Sequence, residues 1–363
     1  MVRLLAGMLA ASLVMVQVGA VRSGPVLASS SRWESAAPLP VPASSQDAVL
    51  LQDGNVLVTG GEATEYGMPT HAAQIYHPSS NTWSLAHPME HGRIGHTETV
   101  LPDGRVLVVG GLGRKLQALR SAEVYDPARN TWTATAPLPQ TRFSQSASVL
   151  PDGDVLVVGG IVGGTISRST LIFDPSTGVW DPGPPTNAPH GQQDSLTLPD
   201  GRVLIAGGYG GPPEIYDPVR TTWTNVGMLR FRSHPILATM ADGTALYTSG
   251  AGPRGHGITS SLVFDPATNR WTKTSPMGTR RDQPVGVELG NGSVLVAGGS
   301  GPHLQMLRSA QIYDDFDHVW RPAPPMRQAR SAATAIRLTD GRVLVCGGAY
   351  YGAVLDSCEL YVP

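Results

Sequence analysis

The sequence predicts an all-β protein built from seven copies of one four-stranded unit, and three landmarks recurring in fixed order predict it. The first is a turn dipeptide: Asp53-Gly54, Asp103-Gly104, Asp152-Gly153, Asp200-Gly201, Asp242-Gly243, Asn291-Gly292 and Asp340-Gly341. The second is a glycine pair that ends a short apolar run: Gly60-Gly61, Gly110-Gly111, Gly159-Gly160, Gly207-Gly208, Gly298-Gly299 and Gly347-Gly348, with Ser249-Gly250 as the variant. The third is an aromatic and a Trp: Tyr76 and Trp83, Tyr125 and Trp132, Phe173 and Trp180, Tyr216 and Trp223, Phe264 and Trp271, Tyr313 and Trp320. The turn residue precedes the first residue of the glycine pair by seven in all seven copies, and the aromatic precedes its Trp by seven in six. Fixed intervals inside strand pairs, with length variation confined mainly to one connection, are what stacked supersecondary units produce.

The second unit shows how each element is read. His96 to Leu101 is a strand, and Pro102-Asp103-Gly104-Arg105 turns the chain, since Asp-Gly between apolar runs supplies the positive φ of a tight hairpin turn. Val106 to Val109 returns as a mostly apolar strand, suited to burial between neighbouring sheets. Ala122 to Tyr125 is the third strand; Asp126-Pro127 starts the next turn, with Asp bonding backbone ahead and Pro presetting φ. Thr131 to Thr133, around Trp132, opens the fourth strand. The 43 Gly and 31 Pro among 363 residues agree with many turns and short strands. A net charge of −2 leaves no basic footprint for nucleic acid or acidic membranes.

Residues 1–28 read as an export signal: Arg3 is followed by an apolar stretch from Leu4 to Ala20, with small-residue cleavage sites ending at Ala20 and Ala28. Cleavage after Ala28 leaves 29–363 as a single domain, without membrane insertion, in a secreted or periplasmic location and as a monomer.

A four-stranded unit of this size, repeated radially, is a blade of a β-propeller. The double glycine and the Tyr-to-Trp spacing resemble the kelch repeat, from about residue 33 to the end, in the manner of secreted bacterial kelch proteins. The resemblance implies a seven-bladed propeller with strands a to d running outward from a central channel. The last unit lacks a Trp after Cys358-Glu359-Leu360-Tyr361-Val362-Pro363, and Ser31-Arg32-Trp33-Glu34 supplies it. The N-terminal strand is therefore predicted to complete the last blade, removing two exposed sheet edges. Cys346 and Cys358 fall on neighbouring strands of that blade, so either a disulfide or two buried thiols is expected, in both cases structural.

The d-to-a connections and the b-to-c loops share one face, where a ligand is expected because variable loops on a rigid scaffold commonly carry binding. Two polar rings stand there. Near the start of strand a are Gln46, His96, Gln145, Gln193, His234 and Gln283, with Ala332 or Ala333 breaking the series. About ten residues after each Trp are Arg93, Arg142, His190, Arg281 and Arg330, with Arg230 and Arg232 close to the equivalent place. Gln and His donate and accept, and Arg presents a planar fork for carboxylates. A mouth so lined suits a sugar, an acidic glycan or an acidic peptide. Alternatively, the arginines lie between blades and bond neighbouring backbone. The b-to-c loops add Tyr66, His71, Arg114, Lys115, His256, His303, Tyr350 and Tyr351, and the short loop from Tyr209 to Glu214 suggests a notch.

The leading functional reading is a non-catalytic module that binds a protein or glycan outside the cytoplasm. A structural or adhesive role is a further possibility. The rival class is a propeller enzyme acting on sugars. Leu101-Pro102-Asp103-Gly104-Arg105-Val106 with His96 upstream resembles a stretch of galactose oxidase and related copper-radical oxidases, where a Tyr-His pair supplies copper ligands. Here Gly95 stands where that tyrosine would be, and both cysteines lie in the last blade. Propellers that mutarotate sialic acid are another precedent, resembled only in the repeat. No zinc spacing, nucleophile elbow or phosphate loop is present, so neither metal nor cofactor is expected.

Overall fold

The computed structural model describes residues 31–63, 67–229, 231–253 and 255–363. The export signal expected at residues 1–28 lies outside the described residues. Seven antiparallel sheets of four strands each form the body of the protein, and helix among the described residues is limited to one 3-10 turn at Pro302–Leu304. Blade 1 is representative, with strand a at Asp47–Leu50, b at Val56–Thr59, c at Ala73–His77 and d at Thr82–Leu85. The remaining a strands are Thr97–Val100, Ser146–Val149, Asp194–Thr197, Ile236–Thr239, Val285–Glu288 and Thr334–Arg337. Each a strand packs on that of the next blade and the seventh packs on the first, so the ring is closed around a channel.

Burial explains why the b strands are the most apolar. All four residues of every b strand, from Val56–Thr59 to Val343–Cys346, are buried, because both faces of each sheet meet a neighbouring blade. Farther out, each Trp ring stacks on the aromatic of its own strand c, with centroids 4.9 Å apart for Tyr125 and Trp132. Its indole N–H crosses to the preceding blade: Trp83 donates to the Ala37 carbonyl at 2.8 Å, and Trp132 to that of His87 at 2.7 Å.

The closing strand forms as its sequence requires. Arg32–Ala36 pairs antiparallel with Cys358–Val362, with Trp33 opposite Tyr361. Trp33 is buried, and its indole donates to the Pro324 carbonyl of blade 6 at 2.7 Å. Cys346 and Cys358 are directly opposite on the b and c strands of this blade and are bonded to each other.

The glycine pair has a steric cause. The second glycine's N–H donates to a carbonyl in the connection entering the next blade, as Gly61 does to Arg93 at 2.9 Å. A Cβ on the first glycine, Gly60, would lie 2.5 Å from that same carbonyl oxygen. Ser249, the variant, takes the required left-handed conformation at φ 61° and turns the close approach into a bond, its Oγ donating to the Arg281 carbonyl at 3.2 Å.

Candidate functional site

The two polar rings expected at the mouth separate into three sets with different fates. The arginines form an interior clamp and do not present their forks to the mouth. Arg93, Arg142, Arg232, Arg281 and Arg330 are all buried. Arg93 Nη1 donates to the Gly110 carbonyl at 2.7 Å and to the Ser121 carbonyl at 3.2 Å, and Nη2 reaches Ser121 Oγ and the Glu123 carboxylate. Arg330 repeats the pattern on Gly347, Ser357 and Glu359, and Arg281 on Gly298 and Ser309 without an acid. Arg142 bonds Gly159 and Ser169; Arg232 bonds Ser260 and lies 4.3 Å from the centroid of the Tyr247 ring. Because the backbone carbonyl of Arg93 also receives Gly61 of the preceding blade, each clamp ties one blade to the next. Burial holds Arg142 and Arg281 down to about 10, and they stay charged at neutral pH. His190 takes the clamp position in blade 4, with Nε2 at 2.9 Å from buried Glu214. Arg230 lies outside the described residues.

Two residues farther along each connection, one residue per blade has positive φ: Ser45, Gly95, Ser144, Gln192, His234, Gln283 and Ala332. Backbone bonds link several of these across blades, with Ser45 N–H on the Ala332 carbonyl at 2.8 Å and Ala332 N–H on that of Gln283 at 3.0 Å. This left-handed kink, unusual outside glycine, turns the residue toward the channel axis and sends the next one back into the wall. The expected Gln/His ring therefore mixes two registers. His234 and Gln283 occupy the kink. Gln46, His96, Gln145 and Gln193 occupy the wall position, where Pro235, Pro284 and Ala333 complete the ring.

The wall residues staple blades together. Gln46 Nε2 donates to the Cys346 carbonyl at 2.8 Å, Gln145 to that of Val109 at 2.8 Å and Gln193 to that of Val158 at 2.9 Å. His96 Nε2 lies 3.2 Å from Thr59 Oγ1, and Thr59 Oγ1 donates to Glu98 Oε2 at 3.2 Å. Burial and the charge of Arg93 push His96 down to about 3, so it is neutral.

The kink and wall residues of all seven blades surround one cavity of about 620 Å³ at the channel mouth; Gln46 alone among the site residues named for these rings does not line it. Asp47, Glu62 and Asp194 also line it, and no Arg or Lys does among the described residues. Asp47 and Asp194 are each pushed up to about 6, mainly by burial. Glu98, beside Asp47 and offering its backbone N–H to that carboxylate at 3.1 Å, is raised well above the usual carboxylate range by burial and by Asp47. His234 Nδ1 stands 3.7 Å from Asp282 at the rim.

These carboxylates and Gln192 were not singled out from the sequence, although a signal existed. The kink residue stands eight before the turn residue in every unit, and Asp47 and Asp194 stand six before it. The loop residues do not converge. His71 and Arg114 share a groove between the loops of blades 1 and 2, while Tyr350 and Tyr351 pack on each other with centroids 4.8 Å apart. Tyr66 lies outside the described residues. At the expected notch, Tyr209–Gly210 pairs with His190–Gly191, and the Tyr209 ring packs 4.7 Å from that of Phe231.

Fold and site together define a closed seven-bladed β-propeller with an acidic, amide-lined channel mouth. Residues 95–139 and 142–187 each match the family described as Kelch motif, and these two stretches lie within a ring of seven four-stranded blades. No curated protein matches it. Among solved structures it resembles a fungal alcohol oxidase of the AA5 family in complex with copper, at TM-score 0.75 and 20% identity, over 92% of this chain and 76% of that one. The likeness is one of fold. The residues at the mouth do not fit a copper site: Gly95 precedes His96, the cysteines are bonded to each other, and no three His, Cys, Asp or Glu side chains converge as a ligand set among the described residues.

Proposed function

We propose that the chain is a non-catalytic binding propeller that receives a carbohydrate ligand at its channel mouth, outside the cytoplasm. The observation that carries this reading is the cavity of about 620 Å³ to which every blade contributes. Its size lies within the roughly 300–1,000 Å³ of small-molecule sites. Amide groups from Gln192 and Gln283, both at the kink and lining the cavity, suit hydroxyls, which donate and accept in turn. The export signal read in residues 1–28 and the Cys346–Cys358 bond support an oxidising compartment.

A glycan array probed with the purified protein tests this reading, paired with a pull-down from the cell envelope. Binding to glycans that is lost in a Gln192→Ala, Gln283→Ala variant is the expected outcome. A protein captured through the b-to-c loops, with no glycan bound, would replace the carbohydrate by a protein partner. The likeness to an oxidase keeps sugar-acting catalysis as the second reading, and its check is oxidase activity after copper loading. A site for an acidic sugar is disfavoured, because the five clamp arginines are buried and bonded.

A further inference from the structure

One seam between blades departs from the other six. The sixth residue after each Trp plugs the seam that follows it: Leu39, Met89, Leu138, Thr186, Met277 and Met326 are no more than 3% exposed. Each gives its backbone N–H to the carbonyl two residues before strand c of its own blade, as Met89 does to His71 at 3.0 Å. Leu229 holds this place between blades 4 and 5, yet it is only half-buried and has no such bond among the described residues. The cause is length. Arg93, Arg142, His190, Arg281 and Arg330 follow their Trp by ten residues, and Arg232 follows Trp223 by nine. With the clamp fixed in the wall, a connection one residue shorter draws Leu229 off its seat. What is left is a cavity of about 440 Å³, within the roughly 300–1,000 Å³ of small-molecule sites.

Two side chains of blade 5 define the chemistry of this cavity. Leu262 and Lys273 stand directly opposite each other on strands Ser261–Asp265 and Arg270–Thr274, so both project from one face. At the place of Leu262, Glu123 and Glu359 accept backbone N–H groups from the connection overhead and meet the clamp arginine. Leu171 is the apolar counterpart in blade 3, but it is 4% exposed and shares a cluster with the seated plug Leu138. Leu262 is left half-buried. At the place of Lys273 the other blades have Leu, Ala, Pro, Asn or Ser. Lys273 is exposed, and no carboxylate lines the cavity beside it among the described residues. Arg232 stands in the back wall, buried and bonded to Ser260, so its charge acts across the cavity as a field, without contact. Met228, Leu229 and Pro276 add apolar surface.

We propose that the seam between blades 4 and 5 binds a small carboxylate carried on a compact apolar body, an aromatic or branched aliphatic acid. The body covers Leu229 and Leu262 in place of the missing plug. The carboxylate meets Lys273, with the field of Arg232 behind it. This cavity shares no lining residue with the channel mouth, and the proposal is independent of the carbohydrate reading.

Calorimetric titration of the full chain with phenylpropionate, the neutral phenylpropanamide and the ring-less propionate tests it, at neutral pH and low salt. Phenylpropionate is expected to bind at least about fivefold more tightly than either of the others. Lys273→Gln, a change at the surface, is expected to bring phenylpropionate down to the level of the amide. Leu262→Glu restores beside Arg232 the acid that blades 2 and 7 carry. It is expected to abolish binding while the melting temperature holds or rises; should that variant not fold, Lys273→Gln decides alone. The amide binding as tightly as the acid would overturn the charged seat. Affinity for phenylpropionate left unchanged by Lys273→Gln would overturn the location. No heat from phenylpropionate at millimolar concentration would remove the site altogether.

Discussion

Arg232 and His234 stand two residues apart in one connection, as do Arg281 and Gln283, yet their polar groups serve opposite ends. The arginines point into the wall and bond carbonyls of the glycine pair or serine beyond it; His234 and Gln283, at φ 47° and 50°, face the cavity. The difference teaches that chemical type does not decide which polar residue of a propeller is available. The backbone kink decides it. A side chain before or after the kink is used to join blades, and only the kink residue, with the carboxylates just inside it, is left for a ligand.

Variants of the two sets should separate sharply. Arg93→Ala leaves Glu123 buried beside the Glu90 N–H and without its guanidinium, and is expected to cost about 3–5 kcal/mol in chemical denaturation. Trp33→Ala removes a buried ring and its bond to Pro324, and is expected to cost a similar about 3–5 kcal/mol. Arg142→Ala, where no carboxylate is stranded, should cost less, about 1–3 kcal/mol. A melt of Arg142→Ala as depressed as that of Arg93→Ala would break the distinction drawn from the acid. His234→Ala and Gln283→Ala should change stability by no more than about 0.5 kcal/mol while lowering ligand affinity.

Acid should affect the mouth in a definite direction. Asp47 and Asp194 have folded-state pKa values of about 6, above those of the unfolded chain, so the native state holds more protons between about pH 4 and 6. Their ionisation works against the fold; that penalty is absent below the unfolded value and complete above the folded one. Lowering the pH from 7 to 5 is expected to raise the melting temperature. The double substitution Asp47→Asn, Asp194→Asn should flatten this slope and raise the melting temperature at pH 7. A melt that falls between pH 7 and 5 in the parent, with no change in slope in the variant, would remove these two groups from the account.

Blade number, strand order and closure were legible because they rest on intervals. The seven residues from Tyr76 to Trp83 fix a strand pair whatever the loops do, and Trp33 could be assigned to Tyr361 before any contact was known. The disulfide was narrowed to one pair but left beside the alternative of free thiols. The mouth was less legible because its grammar is a single residue wide. Gln46 and His234 look alike in composition and stand near the same landmark, yet counting back from the turn puts them at seven and eight residues. A shift of one residue exchanges wall for cavity. The clamp was one of two readings open for Arg93 and its equivalents, since the partner carbonyls that select it carry no side-chain signature. Asp47, Glu98 and Asp194 were passed over as strand residues; their environment arises only when seven a strands converge on one axis.

The pairing of Arg32–Ala36 with Cys358–Val362 also fixes the order of assembly. Six blades draw all their strands from consecutive stretches, so none of them needs a distant segment to complete its sheet. The seventh must wait, holding its outer strand in reserve through more than three hundred residues of growing chain, a loop whose closure is slow. Until Cys358–Val362 arrives, the apolar faces that blades 1 and 6 turn toward the last blade are only partly covered. The Cys346–Cys358 bond lies beside the latch, so oxidation secures a ring that translation could finish only at its last strand.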